Sequence, residues 1–235
     1  MLKIELHAHT ADDPLDRIQH SSRELIDRAA ALGYDVLAIT LHDRQLDPAP
    51  LSAYASERGI LLIPGIERTI EGRHVLLLNF SRAAEGVASF GDLRRLKAHE
   101  RGLVVAPHPF FPTRSCLHGM MDRHADLFDA VERNAMFTRA LDFNAPAERW
   151  ASAHGKPMVG NCDVHRLYQL GTCYSLVDAP PAADEICEAI RNGQVTVHAD
   201  PLSVVRAART MADLTVAQMR PRSRTRLLRP VSEEA

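Results

Sequence analysis

The chain has 235 residues, 46% of them hydrophobic and 25% charged, which is the composition of a folded globular protein and excludes a disordered or fibrous one. At roughly 100 to 200 residues per domain, this length predicts one domain with at most a small appendage. The formal net charge of -2 excludes an overall positive field that would attract nucleic acid or an anionic membrane, so phosphate would have to be bound by local groups.

The start of the chain and its cysteines bear on the cellular compartment. The first residues lack a basic stretch followed by an apolar core, and the apolar runs are shorter than the ~18 residues that span a bilayer, so we expect a cytoplasmic protein. The cysteines form no C-x-x-C pair, and we expect them to be reduced thiols in the core. They are Cys116, Cys162, Cys173 and Cys187.

The order helix, glycine, strand repeats through the first 160 residues. Ser21 and Glu24 form a capping-box pattern, and Gly33 stands at the expected helix end, directly before an apolar run at residues 36–40. The same order recurs at residues 51–66, 92–106 and 144–160. Short apolar strands between helices are typical of parallel strands buried on both faces, which predicts an α/β fold and favours a closed barrel.

One connection is too short to contain a helix. The strand predicted at residues 60–66 ends in Glu67, and only residues 68–73 separate it from the next strand, 74–80. We therefore expect an antiparallel hairpin, which would distort the barrel and bring His74 to the same end as Glu67.

The C-terminal segment, residues 201–235, differs from the predicted barrel domain at residues 1–200. A helix is predicted at about residues 202–211, followed by two prolines and several arginines. These arginines are Arg220, Arg222, Arg224, Arg226 and Arg229. We expect a solvated, flexible tail, with a contact to phosphate or RNA as the alternative.

Histidines and acids follow the ends of the predicted strands, where an α/β barrel builds its active site. The set consists of His7, His9, His42, Glu67, His74, His108, Asp163 and His165. Alternate residues lie on one face of a strand, so each H-x-H or D-x-H pair can hold a cation. A single histidine is usually structural, but so many on one rim indicate metal. Mixed imidazole and carboxylate ligands suit zinc, manganese or iron, and their number implies two or three ions.

These residues carry a resemblance to the PHP family, named for polymerase and histidinol phosphatase domains. The matching motifs are residues 7–9 (His-Ala-His), 38–43, 65–67 with His74, 107–109 (Pro-His-Pro) and 163–165 (Asp-Val-His). Residues 163–177 and 188–193 are also similar to the C-terminal part of stand-alone PHP phosphoesterases. The resemblance implies a distorted (β/α)7 TIM-like barrel with a cluster of divalent metal ions at the C-terminal ends of its strands.

The resemblance also implies which residues bind each ion. One ion would take His7, His9, Glu67 and Asp163. A second would share Glu67 and add His74 and His108. A third would take His42, His165 and a ligand from the loop after His9, for which the candidates are Asp12, Asp13, Asp16 and His20. We choose Asp13.

Leu41 departs from the family pattern, which commonly has an aspartate directly before the histidine equivalent to His42. We expect that aspartate to orient the histidine, so its loss would weaken metal binding at His42 unless Asp43 compensates. Occupancy of the third site therefore stays open.

The predicted function follows from the metals and the resemblance. The sequence has no G-x-S-x-G elbow and no P-loop, so the expected nucleophile is a metal-activated water. The resemblance implies a hydrolase, a metal-dependent phosphoesterase acting on a small phosphorylated metabolite or nucleotide. The expected catalytic residues are Glu67, His108, Asp163 and Arg166. Further candidate arginines for substrate phosphate are Arg68, Arg73, Arg114 and Arg139. Glu132 is expected behind the ligands rather than among them.

Two alternatives remain. One is a phosphodiesterase or nuclease acting on short oligonucleotides, although the near-neutral charge disfavours a long nucleic-acid track. The other is a non-catalytic RNA-binding scaffold, which would be expected to have lost its ligands. The sequence leaves the substrate, the native metal and the oligomeric state open.

Overall fold

The computed structural model describes residues 1–219, so the arginines predicted to form a flexible tail lie outside the described residues. Within this range nine strands form one sheet. The strands are β1 (Leu2–Glu5), β2 (Val36–Ile39), β3 (Leu61–Ile70), β4 (Arg73–Leu78), β5 (Leu103–Ala106), β6 (Ala130–Asn134), β7 (Met158–Asn161), β8 (Cys173–Val177) and β9 (Val195–Ala199). The α-helices are α1 (Ser22–Ala31), α2 (Ala49–Ser56), α3 (Phe90–His99), α4 (Met120–Arg123), α5 (Ala145–Ala153), α6 (Ala183–Arg191) and α7 (Val204–Met219).

Side-chain caps fix where the first helices begin. The Ser21 hydroxyl accepts from the backbone N–H of Glu24, and the Glu24 carboxylate accepts from the backbone N–H of Ser21, which confirms the predicted capping box of α1. Ser89 and Asp92 form the same reciprocal pair at α3. After α1 the chain turns at Gly33, whose φ of 71° is accessible to glycine at little cost. The capping residues therefore determine where α1 and α3 begin, and Gly33 allows the chain to leave α1 toward the next strand.

The predicted hairpin is confirmed. β4 runs antiparallel to both of its neighbours, β3 and β5, whereas β1 to β3 and β5 to β7 are parallel to one another. In the hairpin His74 pairs with Thr69. The reversal places the first residues of β4 beside the carboxyl end of β3, so His74 reaches the same rim as Glu67.

The first seven strands close into a distorted barrel. At the rim Ala8 and Val164 form a parallel bridge, in which His9 N–H donates to the Val164 carbonyl at 3.0 Å and Val164 N–H donates to the His7 carbonyl at 3.1 Å. Elsewhere the antiparallel pair of β8 and β9 continues the sheet from β1. There, Gly160 N–H donates to the Ser175 hydroxyl at 2.8 Å. The (β/α)7 prediction is confirmed as a nearly closed barrel.

The antiparallel pair of β8 and β9 is an addition to the barrel that the sequence pattern does not predict. Helix α6 separates its two strands, and β9 alternates between half-buried and exposed positions. A strand of this kind lacks the continuous apolar run that identified the other strands.

The C-terminal helix is longer than predicted. α7 begins at Val204 and extends to Met219, and it is attached to the barrel through the Tyr168 hydroxyl, which donates to Asp213 at 2.8 Å. The four cysteines are buried, as predicted for residues of the core. No helix within residues 1–219 is both long and apolar enough to cross a bilayer.

Candidate metal centre

The polar residues at the strand ends converge on one rim of the barrel. β1 leads into His7 and His9, and β7 leads into Asp163 and His165, on either side of the bridge that closes the barrel. All the predicted ligands fall into groups of three, and the ligand atoms of each group lie within 4.8 Å of one another. Together these groups contain His7, His9, Asp13, His42, Glu67, His74, His108, Asp163 and His165. The structure thus brings the predicted residues together, and their binding of metal stays a prediction.

Glu67 occupies the centre of this cluster and is 1% exposed. Its Oε2 lies 3.1–3.3 Å from the Nε2 atoms of His7, His9 and His42. Its Oε1 lies 2.7 Å from Nδ1 of His74 and 3.2 Å from Nε2 of His108. Two sets of histidines therefore face different oxygens of one carboxylate, which is the geometry expected of a ligand that bridges two cations.

Three buried atoms of the cluster lack a hydrogen-bond partner among the described residues: Nε2 of His7, Nε2 of His9 and Oδ1 of Asp163. Oδ1 of Asp163 lies 3.4 Å from each of the two nitrogens. Leaving a buried polar atom without a partner costs about 1–3 kcal/mol. A divalent transition metal would satisfy these atoms, because imidazole nitrogens and carboxylate oxygens are its ordinary ligands.

Glu132 determines which nitrogen of His7 faces the cluster. This glutamate is fully buried, and its Oε2 accepts a hydrogen bond from Nδ1 of His7 at 2.7 Å. A proton on Nδ1 leaves the lone pair of Nε2 directed at Glu67. Glu132 therefore lies behind a predicted ligand, as expected from the sequence.

Asp13 orients two further histidines. Its Oδ2 accepts from Nδ1 of His9 at 3.0 Å, from Nδ1 of His42 at 2.9 Å and from the backbone N–H of His42 at 2.9 Å. Its Oδ1 accepts from the backbone N–H groups of Leu15 and Asp16, both at 2.8 Å. Asp13, the predicted loop ligand, thus contacts the Nδ1 sides of these rings, while their Nε2 atoms face Glu67.

The other loop candidates have different partners. Oδ2 of Asp16 lies 2.8 Å from Nε2 of His165. Asp12 accepts from the Ser22 hydroxyl, and Nε2 of His20 donates to the backbone carbonyl of His9. Asp13 and Asp16 therefore each contact one predicted histidine of the third ion, His42 and His165 respectively, and the sequence pattern alone did not distinguish the two acids.

The expected compensation at Leu41 comes from a different residue. Asp43 accepts from the Arg68 guanidinium at 2.7 Å and from the Thr69 hydroxyl at 3.0 Å, so the idea that it supports His42 is wrong. Leu41 itself is fully buried in an apolar cluster. Because Asp13 already occupies Nδ1 of His42, the missing family aspartate leaves no gap in the site.

Replacing Leu41→Asp should therefore destabilise the protein rather than strengthen metal binding. A carboxylate at this position would be buried among apolar side chains, and we expect the free energy of unfolding to fall by at least about 3 kcal/mol. Urea denaturation of the metal-free protein measures the change. Leu41→Met, which nearly conserves volume, should cost less than about 1.5 kcal/mol. Equal stability of Leu41→Asp and the parent protein would contradict the buried placement.

The carboxylates raise the pKa of two histidines of the cluster, His7 and His165. Burial opposes a charge on His7, but Asp163, Glu132 and Glu67 together raise its pKa well above the usual value. Burial likewise opposes a charge on His165, and the Asp163 carboxylate outweighs it, raising the pKa to about 9. A cation that enters the cluster must displace such protons, so metal affinity should increase with pH.

The candidate arginines are already paired or are exposed. The Arg166 guanidinium donates to the backbone carbonyl of His165 at 2.8 Å and to that of Asp213 at 3.4 Å. Arg68 pairs with Asp43, and Arg73 donates to backbone carbonyls. Arg114 and Arg139 are exposed. Arg166 thus connects the rim to helix α7.

Cys116 is a neighbour of the site that the sequence pattern does not predict. Sγ of the buried Cys116 lies 3.3 Å from Nδ1 of His108, whose Nε2 faces Glu67. Cys116 belongs to a loop whose course the sequence pattern does not determine, so no signal placed it beside His108.

Comparison with known proteins agrees with this geometry. A family model described as PHP-associated matches residues 142–195. The fold is similar to that of a two-domain protein from Bacteroides vulgatus that contains a predicted PHP-like metal-dependent phosphoesterase. The TM-score is 0.66 and the sequence identity is 18%, and the alignment covers 91% of this chain and 69% of that chain. The chain therefore matches a PHP-associated model over its C-terminal part and shares the fold of PHP-like proteins. The resemblance recognised in the sequence is thereby confirmed.

Two further structures have a similar fold. PsfC from Pseudomonas syringae has a TM-score of 0.54 and 16% identity, over 92% of this chain and 97% of that chain. A lesion-specific endonuclease from Pyrococcus furiosus has a TM-score of 0.56 and 16% identity, over 85% of this chain and 59% of that chain. At these identities the likeness concerns the fold. No curated protein matches this sequence.

Proposed function

We propose that the protein is a metal-dependent phosphoesterase that hydrolyses a small phosphorylated metabolite or nucleotide. The observation that carries the proposal is the Glu67 carboxylate, whose two oxygens face two sets of histidines beside buried atoms without partners. The similarity to a PHP-like metal-dependent phosphoesterase supports it. The cytoplasmic location stays a prediction.

The proposed ligands divide around Glu67. The first two ions would be held by His7, His9, Glu67, His74, His108 and Asp163. A third would be held by His42 and His165 with an acid of the loop after His9. Divalent cations bound there lower the pKa of a water molecule and neutralise phosphoryl oxygens. Zinc, manganese and iron all suit this donor set.

The chain's own groups prepare the site before any substrate binds. Glu132 and Asp13 keep protons on the Nδ1 atoms of His7, His9 and His42, so their Nε2 lone pairs face inward. We assign Arg166 to positioning α7 rather than to binding substrate, because its guanidinium already donates to backbone carbonyls.

Metal content and phosphate release test the proposal together. Protein reconstituted with zinc, manganese or iron should bind at least two ions per chain and release phosphate from a panel of monoesters. His7→Ala should lower both the metal content and the rate, because the imidazole faces Glu67 and Asp163. His99→Ala, which removes an exposed histidine of α3, is the matched control. Less than one ion per chain after reconstitution would overturn the proposal.

A nuclease or phosphodiesterase is the second candidate, and the fold similarity to the lesion-specific endonuclease favours keeping it. The same assay separates the two, because a nuclease would cleave diesters and short oligonucleotides faster than monoesters. The RNA-binding scaffold is disfavoured because the nine predicted ligands are all present and clustered.

A further inference from the structure

The metal cluster forms only one part of a larger cavity of about 660 Å³. This volume lies within the range of small-molecule sites. The cluster contributes Glu67 and several of the histidines, whereas the remaining wall comes from four other segments. These are the loop before α1, the loop after β5, the loop between β6 and α5, and helix α7. Any ester that reaches the cluster therefore lies against side chains from these segments.

That wall is apolar. Phe111 and Phe143 pack with ring centroids 5.5 Å apart, and the Phe111 ring lies 6.3 Å from the ring of His108. At the mouth stand Leu15, Leu141 and Met211, which are 48%, 56% and 54% exposed. Large apolar side chains left exposed around a cavity mark a binding surface. Here they come from separate parts of the chain, so the fold has assembled them around one opening.

The cavity offers little for a second phosphate group. Among the described residues that line it, the only arginines are Arg17 and Arg166, and there is no lysine. Arg166 donates to backbone carbonyls. The amide of Asn134 is likewise engaged, since it donates to Glu132 and its oxygen accepts from the backbone N–H of Met136. A substrate with several phosphates would lose hydration and meet few cationic side chains here.

We propose that the substrate is a phosphate monoester of a large apolar alcohol, with an aromatic ring or a branched hydrocarbon as its organic part. This inference rests on the proposed function and names the substrate class for the same site. The phosphoryl group would face the metal cluster, and the organic part would pack against Phe111, Phe143 and Met211. Hydrolysis breaks the bond between phosphorus and the alcohol oxygen, water supplies the oxygen that replaces it, and the products are the free alcohol and inorganic phosphate.

Binding of two phosphonates to the metal-reconstituted full-length protein tests the proposal without turnover. Benzylphosphonate and methylphosphonate carry the same head group and differ in the apolar part. We expect benzylphosphonate to bind at least about tenfold more tightly, because its ring leaves water for the apolar wall. Isothermal titration calorimetry measures both affinities.

Two variants of one helix supply the matched comparison. Met211→Ser removes an apolar side chain from the cavity and should weaken benzylphosphonate binding several-fold while leaving methylphosphonate binding unchanged. Val205→Ser changes an apolar residue of α7 that is 79% exposed and does not line the cavity, and it should change neither affinity. Identical behaviour of the two variants would overturn the inference.

The remaining outcomes separate this inference from the proposed function. Phosphate release from glycerol 2-phosphate at the same kcat/KM as from phenyl phosphate, with equal binding of both phosphonates, would leave a phosphoesterase and overturn the apolar substrate. Failure to bind either phosphonate and to release phosphate from any ester would overturn both. A dimer that Met211→Ser converts to a monomer, with no preference between phosphonates, would assign the apolar mouth to a second copy of the chain and also overturn the inference.

Discussion

Glu67→Gln should remove most phosphate release, by at least about 100-fold. The substitution keeps the shape of the side chain but replaces one oxygen with an amide nitrogen. One set of histidines would then face a donor instead of an acceptor, whichever way the amide is turned. We also expect fewer ions per chain, because the carboxylate charge that two cations would share is gone.

The same variant distinguishes a chemical role from a structural one. Since the volume is unchanged, far-UV circular dichroism of Glu67→Gln should match that of the parent protein. Glu57→Gln, an identical change at an exposed position beyond α2, should leave rate and metal content unaltered. Near-normal turnover with normal metal content in Glu67→Gln would show that this glutamate only supports the barrel.

Asp13→Asn should remove the hydrogen bonds that orient two histidines, His9 and His42, and so weaken metal binding. Oδ2 of Asp13 receives three hydrogen bonds, from Nδ1 of His9 and from both Nδ1 and the backbone N–H of His42. Oδ1 receives two more, so an asparagine amide must turn a donor toward donors in either orientation. Loss of a group that orients a metal-binding histidine typically costs 10- to 100-fold in affinity or activity, and we expect about that loss here.

The neighbouring aspartate provides the control for this prediction. Asp12→Asn changes an exposed carboxylate that accepts from the Ser22 hydroxyl, a bond that the amide oxygen can retain. Competition with a fluorescent chelator measures zinc affinity for both variants. If Asp13→Asn binds zinc as the parent protein does, the rings of His9 and His42 are held by other contacts.

The positions of most site residues could be predicted from the pattern of strands in the sequence. His7, His9 and Asp163 follow directly from short apolar strands, so their rim was predictable from the alternation of strand residues. His74 was predictable because a connection of six residues, 68–73, left no room for a helix. In both cases local chain geometry determines the position.

What the sequence could not reveal lies in loops and at the sheet margin. Asp12, Asp13 and Asp16 are equivalent as residue types, and only the turn made by the Asp13 side chain with the N–H groups of Leu15 and Asp16 separates their roles. Cys116 reaches His108 through an irregular loop. β9 carries no apolar run because one of its faces is exposed. Tertiary contacts decide all of these features.

The bridge between Ala8 and Val164 makes assembly of the site depend on contacts between distant parts of the chain. The neighbouring contact from Leu6 to Asn161 joins residues that are 155 positions apart in the chain. Contacts of such high sequence separation form slowly, because the entropy of closing a long loop is lost before the contacts can stabilise the chain. During synthesis His7 and His9 emerge first, yet their partner Asp163 follows only after most of the barrel has been translated. A nascent chain therefore cannot complete the cluster, and binding of the proposed metal ions would require the barrel to have closed.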